Sequence, residues 1–299
     1  MKIAAIVITY NDGYKFKEWV DYHQIYKDEL YMHIIVDNGS DPEYLSMVET
    51  AFSNSKIIKR TTNGGCTSAY NDGIKLALSD QNIDAIMLIA NDIKLEKGSI
   101  SNLFNFLFSD KQYGMVSPIL LAKNSELIDD FGCEITKNLY MKPFDIGKSY
   151  NDLIIKNRVV KAVTGGMNMA KREFYEIVGL QDEKLFMYSD EVDMAIRAER
   201  TGFKMAVTSE IKSWHQHINL KGNIRSYKAY FLLNRNKVYL ANKHFGFLKA
   251  SQIFIFQILR GLAGFKRGVN TNEILIFLNS IKGNILGYLG IMKNPNTRV

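Results

Sequence analysis

The chain has 299 residues, 46% hydrophobic and 23% charged, enough for a full core in one large domain or two, which excludes a disordered or fibrous class. It has two cysteines, Cys66 and Cys133, so neither a disulfide framework nor a cysteine metal cage is available and a reducing compartment fits. The net charge of +7 is unevenly placed: residues 221–299 hold 13 Lys and Arg against the one acidic residue Glu273, whereas residues 1–220 hold 25 against 30.

A basic tail on a mildly acidic body points to an anionic partner for the tail. The start of the chain does not read as a signal peptide. Its apolar run, Ile3 to Ile8, is short and passes directly into Thr9-Tyr10-Asn11-Asp12. No run approaches the ~18 apolar residues that a membrane-spanning helix needs.

Residues 3–9 are apolar and rich in β-branched side chains, the pattern of a first buried strand. Tyr14 to Tyr26 carries Phe16, Trp19, Val20 and His23 at near-helical spacing, and Tyr31 to Asp37 reads as a second strand. Pro42 suits the start of a helix, Lys56 to Lys59 a short third strand, and Asn63-Gly64-Gly65 opens a helix that runs through Leu78. Strand and helix alternating at short intervals predict a parallel sheet covered on both faces. The turn after the first strand lacks G-x-G-x-x-G, which argues against a dinucleotide dehydrogenase.

The stretch from Ile83 to Ile89 reads as another buried strand, and it runs into Ala90-Asn91-Asp92. Ligands of open α/β sheets collect at the carboxyl ends of such strands, so Asp92 stands where a carboxylate could hold a divalent cation and, through it, a diphosphate. Asn91-Asp92 reads equally well as a plain turn. Beyond Gly114 the pattern loosens into an irregular antiparallel portion. Gly165-Gly166 falls in a strand-like stretch, as a bulge or as a place of close approach by a ligand. In Asp190-Glu191-Val192-Asp193 the acids would lie in the first turn of a helix capped by Ser189 and ending near Gly202. They are either dipole-stabilising residues or include a general base, and Asp193 is spaced to pair with Arg197. His215 and His217 follow a strand; two such histidines are ligands only if carboxylates join them.

In this order, the segments resemble the family-2 glycosyltransferases, inverting enzymes of the GT-A fold, and among them the rhamnosyltransferase-like members of bacterial surface-polysaccharide (capsule) biosynthesis. The resemblance covers most of residues 3–240. It rests on Val7-Ile8-Thr9-Tyr10-Asn11, Ile35-Val36-Asp37-Asn38-Gly39-Ser40, Asn63-Gly64-Gly65, Ala90-Asn91-Asp92, Thr164-Gly165-Gly166, Asp190-Glu191-Val192-Asp193, His215 and Arg235-Asn236. It implies a Rossmann-like, mostly parallel sheet flanked by helices in residues 1–220, with a helical extension in residues 221–299.

By position, the resemblance implies that Thr9, Tyr10, Asn11, Asp37, Asn63, Gly64, Asn91 and Asp92 bind the nucleotide-sugar. It implies that Asp92 ligates Mg²⁺ or Mn²⁺ with His215, or failing that His217. Glu191 would be the base that deprotonates the acceptor hydroxyl, with Asp190 as the alternative, and Gly165, Gly166 and Asp193 would meet the acceptor. Ala90 replaces the first acid of the family's D-x-D motif, and the acid pair runs Asp-Glu where the family has Glu-Asp.

The tail carries apolar segments, Phe245 to Leu262 and Ile274 to Leu289, with scattered Lys and Arg. These suit helices lying in an anionic membrane interface at the cytoplasmic face, near a lipid-linked acceptor. Packing on the catalytic domain or a homodimer interface is the alternative. Nucleic acid is disfavoured, because the cations are mixed with apolar stretches and form no polar basic stripe. The expected activity is sugar transfer from a UDP- or dTDP-sugar to a glycan acceptor. A non-catalytic nucleotide-sugar-binding or assembly protein is the rival, and a sugar nucleotidyltransferase is disfavoured by the absence of a basic Gly-rich loop after the first strand.

Overall fold

Side chains of β1 (Ile3–Thr9) alternate between two cores: Ala4 and Ile6 face one, and Ile3, Ala5 and Val7 the other. A strand covered on both faces has no polar side, which is why the sequence shows an unbroken apolar run. The structure is a computed structural model that describes residues 1–163, 165–215, 227–265 and 271–292.

After β1, helix α1 (Phe16–Tyr26) buries Trp19, His23 and Tyr26 on one face. Strand β2 (Met32–Asp37) follows, then α2 (Pro42–Ala51), which starts at Pro42 where a missing N–H costs nothing. Next come β3 (Lys56–Lys59), α3 (Gly65–Leu78) and β4 (Ala85–Ile89), in which Ile86 and Leu88 again face the core opposite to that of Ala85, Met87 and Ile89. These four strands are parallel, with β1 between β2 and β4 and β3 beyond β2.

The second half is mixed. It contains β5 (Ile93–Leu95), α4 (Ser99–Phe108), β6 (Tyr113–Ala122), β7 (Ile128–Asp130), β8 (Cys133–Ile135), β9 (Met141–Pro143), β10 (Asn157–Val160), β11 (Met167–Lys171), α5 (Arg172–Val178), α6 (Asp190–Arg200) and β12 (Lys204–His215). Strand β11 sits antiparallel between β4 and β6, β12 is parallel to β6, and β10 closes the edge. The main path is β10-β12-β6-β11-β4-β1-β2-β3, and β8–β9 form a separate hairpin. A mostly parallel sheet between helical layers, as the sequence predicts, therefore aligns the carboxyl ends of β1, β2 and β4 along one edge.

Among the described residues, three helices follow β12: α7 (Tyr227–Phe245), α8 (Phe247–Phe265) and α9 (Thr271–Tyr288). Helix α9 lies directly on α7, because Gly283 and Gly287 present no Cβ to the carbonyls of Phe231 and Arg235. No helix of the described residues is long and apolar enough to cross a membrane.

Candidate functional site at the carboxyl edge of the sheet

The loops after β1, β2 and β3 are laced together by side-chain amides. Asn11, at φ 51°, accepts from the Asp41 N–H at 2.9 Å, and the Ser40 hydroxyl accepts from the Asn11 N–H at 3.0 Å. Asn38 donates to Asn63 Oδ1 at 3.0 Å and accepts from the Gly64 N–H at 3.1 Å, while Asn63 Oδ1 also accepts from the Gly65 N–H at 2.9 Å. The turn that opens α3 is thereby fixed, and Gly65 takes a φ of 87° beside the Phe186 carbonyl, where a side chain has no room. Asp37 ends β2. One of its oxygens accepts from the Ser40 N–H, while Oδ1 is buried without a hydrogen bond. Thr9 is buried against the Tyr44 hydroxyl, and Tyr10 is half-buried at the end of the same strand.

Ala90 and Ile93 close a turn between β4 and β5 that holds Asn91 and Asp92. Asn91-Asp92 is thus a turn, and the turn aims the Asp92 carboxylate at His215 and Lys15. Asp92 Oδ1 lies 3.5 Å from His215 Nε2, and Oδ2 lies 3.4 Å from Lys15 Nζ. His215 Nδ1 lies 3.1 Å from Asp129 Oδ2, so the second carboxylate orients the ring with Nε2 toward Asp92. Asp12 is 3.9 Å from Lys15 and accepts from the Asn91 amide at 2.9 Å.

Burial alone would raise the Asp92 carboxyl, but the neighbouring His215 ring and the charge of Lys15 hold it well below its ordinary value. Burial alone would lower His215, but Asp129 and Asp92 together raise it to about 9.

Among the described residues no three His, Cys, Asp or Glu side chains form a ready metal cage. The donor set nonetheless fits half a site. Asp92 Oδ1 is buried and accepts no hydrogen bond, with an imidazole nitrogen beside it. A hard divalent cation commonly takes one or two carboxylates and completes its shell with substrate phosphates and water.

Residues Phe186, Tyr188 and Ser189 all have positive φ, between 63° and 69°. Such a loop persists only if its surroundings over-determine it. Here α7 does so: the Asn236 amide donates to the carbonyls of Leu185, Met187 and Tyr188 at 3.1, 2.9 and 2.8 Å, and Arg235 donates to that of Leu185 at 3.0 Å. Both side chains are fully buried. The Ser189 hydroxyl, expected to cap α6, makes no cap hydrogen bond; its carbonyl accepts the Asp193 N–H as the first bond of the helix.

This loop delivers Asp190 and Glu191 to the first turn of α6, beside a cavity of about 30 Å³ that Gly165, Asn168 and Gln181 also line. Burial and then the charge of Glu191 push Asp190 well above its ordinary value. Burial raises Glu191 as well, against hydrogen bonds from the backbone and from Asp190 that favour its charged form. Both carboxyls, side by side in the first turn of α6, thus hold protons more tightly than free carboxyls do.

Gly165 and Gly166 join the two clusters. They precede β11 rather than lying within it; the Gly166 carbonyl accepts the Ala90 N–H at 2.9 Å, and Gly165 packs against Glu191. Tyr70 senses both clusters: burial, then the Cys66 thiol, Asp190 and Asp92 raise it well above its ordinary value.

Asp193 does not open on the cleft. It is fully buried, with Arg197 at 2.9 Å and Lys243 and His244 each at 2.7 Å. Burial opposes its charge, but His244, Arg197 and Lys243 hold it down to about 2. His217 and Thr164 lie outside the described residues, as do Lys266 and Arg267 of the tail.

The sequence profile of glycosyl transferase family 2 matches residues 4–177. The chain belongs to that family. A relative, the low-salt glycan biosynthesis hexosyltransferase Agl10 of Haloferax volcanii, is 22% identical over 216 residues, covering 71% of this chain and 67% of its own. Solved structures with the same fold include GalNAc-T7 in complex with UDP, GalNAc and Mn²⁺, at TM-score 0.65 and 13% identity over 95% of this chain, which spans 56% of GalNAc-T7. The mannosyltransferase PcManGT of Pyrobaculum calidifontis, bound to GDP-Man and Mn²⁺, gives 0.54 and 13% over 97% of this chain and 72% of its own. S. aureus TarS 1–349 gives 0.56 and 15%, over 96% and 81%. In this family 2 chain, then, the sheet edge that carries Asp37, Asp92 and His215 is the edge of a GT-A-like fold.

Sequence reasoning did not select Lys15, Asp12 or Asp129. Each reaches the site across long separations, 77 residues for Lys15 and Asp92 and 86 for Asp129 and His215. The acidic run around Asp129-Asp130 was the one local signal available.

Proposed function

We propose that this chain is an inverting glycosyltransferase that moves a sugar from a UDP- or dTDP-sugar to a glycan acceptor carried on lipid, in cell-surface polysaccharide synthesis. The observation that carries this reading is the pairing of Asp92 with His215 at the sheet edge, joined through Gly165-Gly166 to the half-buried Asp190–Glu191 pair.

Asp37, with its uncommitted buried oxygen, accepts from the base of the nucleotide, beside Thr9, Tyr10 and Asn11. The Asn38–Asn63 clamp shapes the backbone of residues 63–65 against the donor. Asp92 and His215 would hold Mg²⁺ or Mn²⁺, which supplies neutralisation of the charge that builds on the departing diphosphate. Lys15, paired with Asp92, adds a fixed cation on the same side.

Glu191 takes the proton from the acceptor hydroxyl as its oxygen attacks the anomeric carbon. A carboxylate whose affinity for protons is raised by burial suits that task near neutral pH. One base and no covalent intermediate give inversion. Asp190, its carboxyl raised by burial and by Glu191 beside it, is the alternative base, and Asp193 serves the fold of α6 rather than the acceptor. The basic α7–α9 region is read as the part that meets the inner face of the membrane.

The test is turnover of UDP- and dTDP-sugars with a lipid-linked glycan acceptor. Glu191→Gln is expected to lower kcat by about 100-fold or more while donor affinity stays within about threefold. Full turnover in Glu191→Gln would remove Glu191 as the base.

A further inference from the structure

Helices α8 and α9 each bury one face and leave another uncovered. On α8, Ala250 and Ile253 join the core that includes Val238 and Leu240 of α7, while Leu248, Ile255, Leu259 and Leu262 are 77, 56, 60 and 49% exposed. On α9, Gly283 and Gly287 lie against α7, while Leu275, Leu278 and Ile285, and Leu289 just past its end, are 40, 54, 44 and 61% exposed. The intervals are seven, four and three residues on α8, and three, seven and four on α9. Each set is therefore one stripe along a helix. Single exposed leucines are ordinary, but two continuous stripes on neighbouring helices call for a partner.

We propose that these stripes form a docking face that lies in the headgroup–acyl boundary of an anionic bilayer. The proposal deepens the membrane-face part of the reading above and rests on it for the lipid-carried acceptor.

Charge selects the occupant. Residues 221–299 contain one acidic residue, Glu273, among 13 Lys and Arg, while the rest of the chain is net acidic. Lys282 is exposed and stands within the α9 stripe, between Leu278 and Ile285. In a stripe-to-stripe dimer its ammonium would be buried against leucines with almost no carboxylate available to pair with it, which is costly. On a bilayer the aliphatic stem lies along the acyl chains and the ammonium reaches the phosphates. Exposed Arg260 adds a second cation on α8. Because neither helix is long and apolar enough to cross a membrane, the stripes lie on it.

The experiment is flotation of the full chain, without donor or acceptor, with phosphatidylcholine vesicles with and without phosphatidylglycerol, alongside light scattering and thermal unfolding. Flotation is expected with the anionic vesicles, about tenfold or more above the neutral ones, and is expected to weaken with salt. The double variants Ile255→Gln/Leu259→Gln and Leu278→Gln/Ile285→Gln should each lose about tenfold in vesicle binding at unchanged Tm, because the substituted side chains are exposed. Lys282→Glu should weaken binding to anionic vesicles selectively. Absence of flotation, flotation indifferent to these substitutions, or a stable dimer that the same substitutions dissociate would each overturn the proposal. Because no nucleotide is present, failure here leaves the transfer reading intact, and failure to bind any nucleotide leaves the vesicle result intact.

Discussion

The backbone of Gly165 and the carboxylate of Glu191 are in contact, so that a Cβ at position 165 would lie 3.0 Å from Glu191 Oε1. The same glycine pair is tied to the Asp92 turn through the bond from the Ala90 N–H to the Gly166 carbonyl. Gly165→Ala must therefore displace the carboxylate by a few tenths of an ångström. Steady-state kinetics are expected to show kcat lower by about tenfold with donor KM within about threefold. An unchanged kcat would mean that the position of Glu191 is not critical.

Asn236 supplies one amide to three carbonyls of a loop in which three side-chain-bearing residues have positive φ. Asn236→Ala leaves those carbonyls short of a donor in a buried place and should cost about 2–4 kcal/mol of stability. It should also lower kcat at temperatures where the variant remains folded, because the loop aims Asp190 and Glu191. Asn236→Asp keeps the shape but replaces a donor with an acceptor, and is expected to fail as badly in urea unfolding and in turnover.

Gly287 lets the backbone of α9 approach the Arg235 carbonyl on α7. Gly287→Ala places a methyl group there, forces the helices apart and should destabilise the chain by about 1–3 kcal/mol. Urea unfolding reads this directly, and a neutral result would show that α9 contributes little to holding α7.

His23 and His33 stack at 4.2 Å between ring centroids inside the core of α1 and β2. Burial, with the charge of Lys27, lowers His23 to about 4; burial, with His23, lowers His33 to about 3. Both bases are thus neutral when folded, and the unfolded chain takes up more protons between these values and the ordinary 6.5. Their stabilisation is present above pH 6.5 and is lost as pH falls toward 4. At pH 5 the loss is of order 2 kcal/mol per ring. Unfolding free energies at pH 7 and pH 5 should differ less in His23→Phe than in the parent chain.

The fold was legible where one strand or helix carries its own signal. The unbroken apolar runs of β1 and β4 follow from burial on both faces, and Asn63-Gly64-Gly65 marks the start of α3 because only glycine accommodates the approach of Phe186. Asp92 and His215, 123 positions apart, were brought to one place by resemblance and not by local pattern. Lys15 and Asp129 went unread for the same physical reason, because their roles exist only once distant strands align. Asp193 shows the converse. Its place in an acidic run resembles that of its neighbours, but one helical step turns it inward, where His244 and Lys243 from α7 claim both its oxygens together with Arg197. Asn236 is similar: nothing near it in sequence indicates that it holds a loop some 50 residues earlier.

The most direct test of the account is calorimetric titration of UDP, dTDP and GDP into the parent chain and Asp92→Ala, with Mn²⁺ and with EDTA. The account predicts that UDP or dTDP binds in Mn²⁺ and that affinity falls by about tenfold or more in EDTA and in Asp92→Ala. Binding indifferent to both the metal and Asp92, or no nucleotide binding under any condition, would contradict it.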